Sequence, residues 1–284
     1  MEIPAPDFNL ALTLDSGQVF HWDSLGQGFA GAIEERPVYV EQRGEVLKIG
    51  TNGSLPGIVA RYFSLDHPLE RICASFPKDP AMREAARYCR GLRIIRQPRW
   101  ECLATFITSS MKQVAHIRQI SRALRQRYGR RLLLRGHPLY GFPSAQCLAR
   151  LSENELRKCA LGYRAKTLLA TARLVASNEV NLDALAELPD GELRAALCAL
   201  PGVGPKVANC VMLFAYERLR AFPVDVWVER VLREKYFPRR RKITPGELRD
   251  FAARYFGAHG GYAQQYLFHH ARKTTLRRLS PRAR

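Results

Sequence analysis

The spacing of hydrophobic positions changes near residue 50. Before it, Gln18-Val19-Phe20-His21-Trp22, Phe29 to Ile33, Val38-Tyr39-Val40 and Val46 to Ile49 are short runs rich in β-branched and aromatic residues, separated by Gly, Asp or charged turns. That is the pattern of a small antiparallel sheet. From Leu55 onward apolar residues recur at helical spacing, and Ser152 with Glu155 and Thr244 with Glu247 mark helix starts by reciprocal capping. Gly136-His137-Pro138, Gly141-Phe142-Pro143, Gly202 to Pro205 and Pro238 cut this region into helices of globular length. The expectation is an α+β protein: an N-terminal antiparallel sheet with flanking helices over residues 1–80, packed on a mainly α-helical body over 81–284, without internal repeats.

Within the helical body, Leu193 to Leu200 reads as a helix that Pro201-Gly202-Val203-Gly204 stops. Pro205 then suits the first position of a new helix, because its missing N–H is no loss there. The pattern is a helix-hairpin-helix over about residues 192–217, followed by a Gly/Pro-Asp loop. Gly202 and Gly204 carry no side chains, so a phosphate can reach backbone N–H groups at the positive end of the second helix. Such contacts hold a duplex without reading its sequence. Taken alone, the motif is also compatible with an ordinary turn between two core helices.

Charge changes that balance. Lys and Arg number 45 against 26 Asp and Glu, a formal net charge of +19, which favours a polyanionic partner. Basic clusters lie at Arg125 to Arg135, at Arg239-Arg240-Arg241-Lys242 and from Arg272 to Arg284. Singly, each cluster is best read as a solvated face, and the basic C-terminal tail, poor in apolar residues, as a mobile arm. With 46% hydrophobic residues in 284, the chain can bury a core of one or two domains. No apolar run approaches the roughly 20 residues of a membrane helix, and Met1-Glu2-Ile3-Pro4-Ala5-Pro6 does not resemble a secretory leader. An intracellular protein is expected, cytoplasmic or nucleoid-associated in a prokaryote and nuclear in a eukaryote, with no membrane partner. The seven cysteines form no two-residue-gap pair and none follows Cys210, so neither a disulfide framework, a zinc knuckle nor an iron-sulfur cluster is expected.

Two residues carry candidate chemistry. A lysine that attacks carbon must shed its proton, and Lys206 lies in the first turn of the second hairpin helix, where the dipole and partial burial disfavour an ammonium. Cys210, four residues on, shares its helix face. Asp225 follows Phe222-Pro223-Val224 and precedes the amphipathic run Val226 to Leu232, so it is placed to cap a helix. A fixed carboxylate beside a sugar can stabilise an oxocarbenium-like transition state and help move protons as the amine adds at the anomeric carbon. The plainer alternative is that Asp225 only caps.

The chain resembles the 8-oxoguanine DNA glycosylase/AP lyase family of the helix-hairpin-helix superfamily over most of its length. The resemblance rests on Leu14-Asp15-Ser16-Gly17-Gln18-Val19-Phe20-His21-Trp22, Arg96-Gln97, Glu101-Cys102-Leu103, Phe106-Ile107-Thr108-Ser109-Ser110 and Tyr140-Gly141-Phe142-Pro143-Ser144. It continues through Leu161-Gly162-Tyr163-Arg164-Ala165, the lysine hairpin, Pro223-Val224-Asp225, and Gly261-Tyr262-Ala263-Gln264 with Phe268. It implies flipping of an oxidised purine from double-stranded DNA, displacement of the base by Lys206 through a Schiff base, β-elimination that nicks the strand, and Asp225 as partner carboxylate. It further implies that Phe268 and Cys210 sandwich the extruded purine, that Gln264 bonds its Watson-Crick edge, and that Pro223 lines the pocket. The Gly17 carbonyl would accept the N7–H that 8-oxoguanine has and guanine lacks, although Gly17 could simply turn the chain into a strand and Phe268 and Cys210 could simply pack.

Departures from the family pattern fall where the orphaned partner base is read. Three consecutive asparagines are replaced by Met111-Lys112-Gln113 and an arginine by His116. Arg164 remains to contact the estranged cytosine with Tyr163 as a wedge beside it, and Met111 or Gln113 could fill the gap left by the extruded nucleotide. Trp227 stands in place of a phosphate-binding histidine and Asn209 in place of an aspartate. Weaker partner discrimination is therefore expected, with the chemistry retained. Relatives also hold a monovalent cation on hairpin carbonyls, which would here be those of Cys198, Leu200 and Val203, with K+ or Na+ as the ion and no other cofactor required. A monomer is expected. The alternatives are an endonuclease III type activity on oxidised pyrimidines, a monofunctional alkylbase glycosylase, and a noncatalytic helix-hairpin-helix module; the N-terminal sheet and Lys206 weigh against the first two.

Overall fold

In the structure of the protein, a computed structural model, residues 1–51, 56–109, 113–240 and 242–279 are described. Strands β1 (Glu2–Pro4), β2 (Asp23–Leu25), β3 (Gly28–Ile33), β4 (Arg36–Arg43) and β5 (Val46–Thr51) form one antiparallel sheet in the order β1-β5-β4-β3-β2. Two-residue loops close both central hairpins, pairing Ile33 with Arg36 and Arg43 with Val46. Their first residues, Glu34 and Gly44, adopt the left-handed φ values of 56° and 58° that such tight connections require. Alternation puts Val38, Val40, Leu47 and Ile49 on the buried face, against Val59 and Tyr62 of the helix Pro56–Tyr62 and against Phe63. A second and larger apolar cluster, which includes Met82, Leu103, Ile107, Leu168, Leu193, Val211, Tyr262 and Tyr266, fills the helical body. The α+β expectation therefore holds, and both reciprocal capping boxes, Ser152 with Glu155 and Thr244 with Glu247, are formed.

Four local expectations are corrected. Gln18 to Trp22 is not a strand; it follows a short helix, Leu10–Asp15, capped by Asn9, and runs irregularly between sheet and helical body. Buried irregular backbone must find partners, and side chains supply them. The Gln18 Nε2 donates to the Arg93 carbonyl at 2.8 Å, its Oε1 accepts from the Ile95 N–H at 2.8 Å, and Gln97 Nε2 donates to the Gln18 carbonyl at 2.9 Å.

The segment expected to be a basic face and a helix break contains a ribbon, β6 (Arg131–Leu134) with β7 (His137–Tyr140). Arg135 and Gly136, with φ values of 49° and 83°, make its two-residue turn, and the ribbon lies against β3 and β4. Arg125 is not solvated: it is buried, ion-paired to buried Glu101, bonded to the Tyr140 carbonyl at 3.1 Å, and set over the Phe142 ring. The C-terminal residues are no mobile arm as far as they are described, because the helix Gly260–Leu279 carries Arg272 into a buried contact with the Asp15 carbonyl. No helix among the described residues is long and apolar enough to cross a membrane.

Removing one partner of a buried ion pair strands the other charge. Glu101→Ala is therefore expected to lower unfolding free energy by about 3 kcal/mol, read from urea denaturation of wild type and variant.

Candidate active site

The hairpin is built by the helices Asp190–Cys198 and Pro205–Ala215. Between them the Val203 N–H donates to the Leu200 carbonyl at 3.1 Å, closing a turn in which Gly202 has φ 82°. A Cβ on Gly202 would also stand 2.8 Å from Thr167 Oγ1. Gly202 is thus required by the turn and by packing, whereas Gly204, the N-cap, is exposed and faces open space, which is what a ligand approaching the helix N-terminus needs. Thr171 Oγ1 secures the turn by donating to the Pro201 carbonyl at 2.9 Å.

Lys206 lies in the first turn of the second helix, half-buried, with Nζ 5.2 Å from the centroid of the Phe106 ring, which stacks in turn on Phe214. The Cys210 thiol is within hydrogen-bonding reach of Lys206, and burial pushes its pKa up to about 11 against the opposing pull of the ammonium. It is a protonated apolar wall rather than a nucleophile. Asp225 is the N-cap of the helix Val226–Val231, its Oδ1 accepting from the Val228 N–H at 2.9 Å. Burial raises its carboxyl above the ordinary range; the cap bond and the Lys206 ammonium counter that rise without cancelling it. Lysine, thiol and carboxylate therefore sense one another's charge at one place.

The helix Gly260–Leu279 supplies the other wall. Gln264 and Phe268, one turn apart, share a face. Gln264 is buried, and its Oε1 has no hydrogen-bond partner among the described residues. Gly17 has φ 85°, and a Cβ there would come 3.1 Å from Phe268 Cε1. Arg272 sets its guanidinium 5.7 Å from the Phe268 ring centroid and is coupled to the charge of Asp225, linking the Gly17 turn to the lysine and carboxylate. Pro223, two residues before Asp225, is buried.

Residues 1–103 match the family described as 8-oxoguanine DNA glycosylase, N-terminal domain, and residues 104–256 match the HhH-GPD superfamily of base excision DNA repair proteins. The chain belongs to the 8-oxoguanine DNA glycosylase family. It is 32% identical to the N-glycosylase/DNA lyase OGG1 of Arabidopsis thaliana, over 94% of this chain and 78% of that protein. Its fold matches MBOgg1, solved with a low-affinity DNA ligand, at a TM-score of 0.92 and 35% identity over 96% of both chains. It also matches the Clostridium acetobutylicum 8-oxoguanine glycosylase/lyase, solved with double-stranded DNA containing cytosine opposite 8-oxoG, at a TM-score of 0.90 and 30% identity over 97% of this chain and 98% of that one.

Other residues singled out on the glycosylase pattern occupy several places, Trp227 among them beside Asp225, to whose carboxylate its backbone N–H bonds. Tyr163 is 65% exposed, and Arg164, beside it at the start of the helix Arg164–Ala176, is buried with its guanidinium 4.4 Å from the Tyr163 ring centroid. Gln113 is the exposed N-cap of the helix Val114–Tyr128 and His116 lies half-buried in its first turn, whereas Met111 and Lys112 fall outside the described residues. Trp227 lines a cleft of 370 Å³ with Glu84, Arg230 and His270. Asn209, the residue before Cys210, is buried and donates to the Pro205 carbonyl at 2.9 Å, so its amide serves the helix. Cys198, Leu200 and Val203 stand at the end of the first hairpin helix and in its turn. The residues missed by sequence reasoning are Gln265 and Arg272, which reach the Ser16 and Asp15 carbonyls. Gln265 is the second of a pair of glutamines inside an otherwise apolar stretch, a signal that Arg272 lacks.

Asp225 has a folded pKa above its unfolded one, so the native state binds the proton more tightly and ionisation opposes folding. That penalty grows as pH rises from the unfolded carboxyl range near about 4 and is complete above the folded pKa. Asparagine also caps helices. Asp225→Asn should thus gain stability relative to wild type between acid and neutral pH, measured as the difference in unfolding free energy across that window.

Proposed function

We propose that this protein excises 8-oxoguanine from duplex DNA and then nicks the strand as an AP lyase. The observation that carries the reading is the buried Gln264 Oε1, without a donor among the described residues, on the helix face of Phe268, whose neighbour Arg272 senses the Asp225 carboxylate that in turn senses the Lys206 amine. A guanine-type Watson-Crick edge offers N1–H and N2–H donors to such an acceptor, and a purine flipped out of the stack would bring them there. Phe268 and Cys210 are the faces between which the ring would lie, with Pro223 beside it. The Gly17 carbonyl would take the lesion's N7–H; guanine presents a lone pair instead, a mismatch of about 1–3 kcal/mol.

In the chemistry, the neutral Lys206 amine adds its lone pair to C1′. The C1′–N9 bond breaks with its electrons going to the base, which takes up a proton. Loss of the second amine proton and opening of the sugar at O4′, which is protonated, give the C1′=N Schiff base. Removal of a C2′ proton then expels the 3′-phosphate, and water releases the lysine. Asp225 as a carboxylate stabilises the positive charge developing on the sugar.

Gly204 and the Gly202 turn would hold backbone phosphates, with Trp227 as a further contact. Tyr163 would wedge the duplex while Arg164 meets the base opposite. With Met111, Lys112, Gln113 and His116 in place of the family's asparagines and arginine, selection of that base is weakened. No cofactor is required by these steps. The Leu200 carbonyl keeps a lone pair beyond its bond to Val203, so a K+ or Na+ ion shared with the Cys198 and Val203 carbonyls fits the donor set. The protein acts as a monomer on cellular DNA.

Borohydride should trap a covalent adduct between wild type and an 8-oxoguanine duplex, and Lys206→Gln should abolish the adduct while duplex binding, read by gel shift, survives. Trapping that persists in the variant would move the nucleophile elsewhere. In a second measurement, excision rates against the four opposite bases should differ by less than about tenfold, roughly the value of one base-reading contact.

A further inference from the structure

The carbonyls of the Asp15 to Gln18 turn are not treated alike. Arg272 Nη2 donates to the Asp15 carbonyl, Gln265 Nε2 to the Ser16 carbonyl at 2.8 Å, and Gln97 Nε2 to the Gln18 carbonyl at 2.9 Å. All three donors are buried side chains. Gly17 alone among these four residues has a carbonyl with no donor among the described residues, and it is also the residue pressed against Phe268.

The clasp extends to the side chains. Ser16 Oγ donates to the Thr13 carbonyl at 2.6 Å and accepts from Gln18 Nε2 at 2.8 Å. Asp15 is ringed by Arg118, Arg272 and Lys273. A peptide plane flanked by fixed neighbours cannot rotate freely, since turning one plane requires its neighbours' dihedrals to move. On the helix Gly260–Leu279, Gln265 and Arg272 are seven residues apart and so share a face, adjacent to the face that carries Gln264 and Phe268. One helix thus presents both the groups facing the base and the groups that hold the turn opposite.

We propose that Gln265 and Gln97 are positioning residues for lesion recognition: by saturating the carbonyls on either side, they orient the Gly17 peptide and leave its carbonyl as the sole free acceptor of the turn. This inference rests on the functional reading above. The Gln265 amide touches no substrate in this account; it acts through Ser16 and Gly17. A preset acceptor needs no reorganisation when the base arrives, and that favours the lesion over guanine.

The test uses Gln265→Met, which roughly conserves volume and removes the amide with its donor, alongside Gln97→Met, which loosens the same peptide from its other side. Three rates are compared with wild type on the full-length protein: release of 8-oxoguanine, release of guanine, and strand nicking at a preformed abasic site, which has no base to orient. The expected result in both variants is a fall of about tenfold in 8-oxoguanine release, the scale of one buried hydrogen bond, with a narrowed preference over guanine and unchanged nicking. Unaltered lesion preference in both variants overturns the inference. So does a parallel loss of nicking, which would make the two glutamines general supports of the fold. A wild type that releases 8-oxoguanine no faster than guanine would sink the functional reading, and the inference with it.

Discussion

The structure depends on satisfying backbone that is buried without being in a helix or strand. Residues 15 to 18 pass between the sheet and the helical body, with Ser16 and Gln18 buried and Asp15 and Gly17 half-buried. Each unpaired group there would cost about 1–3 kcal/mol. Gln18, Gln97, Gln265 and Arg272, drawn from three separate regions of sequence, meet that demand. The same bonds join the N-terminal sheet to the last helix, so the union of the two apolar clusters and the shape of the Gly17 turn have one cause.

Electrostatics divides the molecule in a similar way. Most of the excess positive charge is spread over the surface, where it attracts a polyanion without selecting a sequence. Among charges that enter the interior, Glu101 and Arg125 pair with each other, Arg272 reaches half-exposed Asp15, and Arg93 donates to the Ser64 and His67 carbonyls. Asp225 is the exception of interest: burial raises its pKa despite the cap and the nearby lysine, so the fold tolerates a carboxylate that it does not favour. Such destabilised charge is characteristic of groups kept for chemistry.

Much of this was legible in the chain. The change to helical spacing located the sheet, Pro205 and Asp225 marked helix starts, and the hairpin carries its lysine to Cys210 and Asp225. What escaped detection depended on tertiary partners. Val19, Phe20 and Trp22 look like strand residues, but they are apolar because two layers cover them, and Gln18 bonds in directions no strand neighbour could supply. The β6–β7 ribbon is masked by its arginines, which point outward from a short Leu-rich run. Arg272 looks in sequence like any arginine of a basic stretch; its partner Asp15 lies 257 residues earlier.

Burial shields the Cys210 sulfur from more than water. Oxidants attack thiolates that they can reach, and this sulfur is buried and holds its proton through neutral pH. A cell suffering peroxide stress accumulates damaged purines and loses reactive cysteines at the same time. On the proposed reading, the thiol that faces the damaged base is one suited to survive the conditions that create the damage.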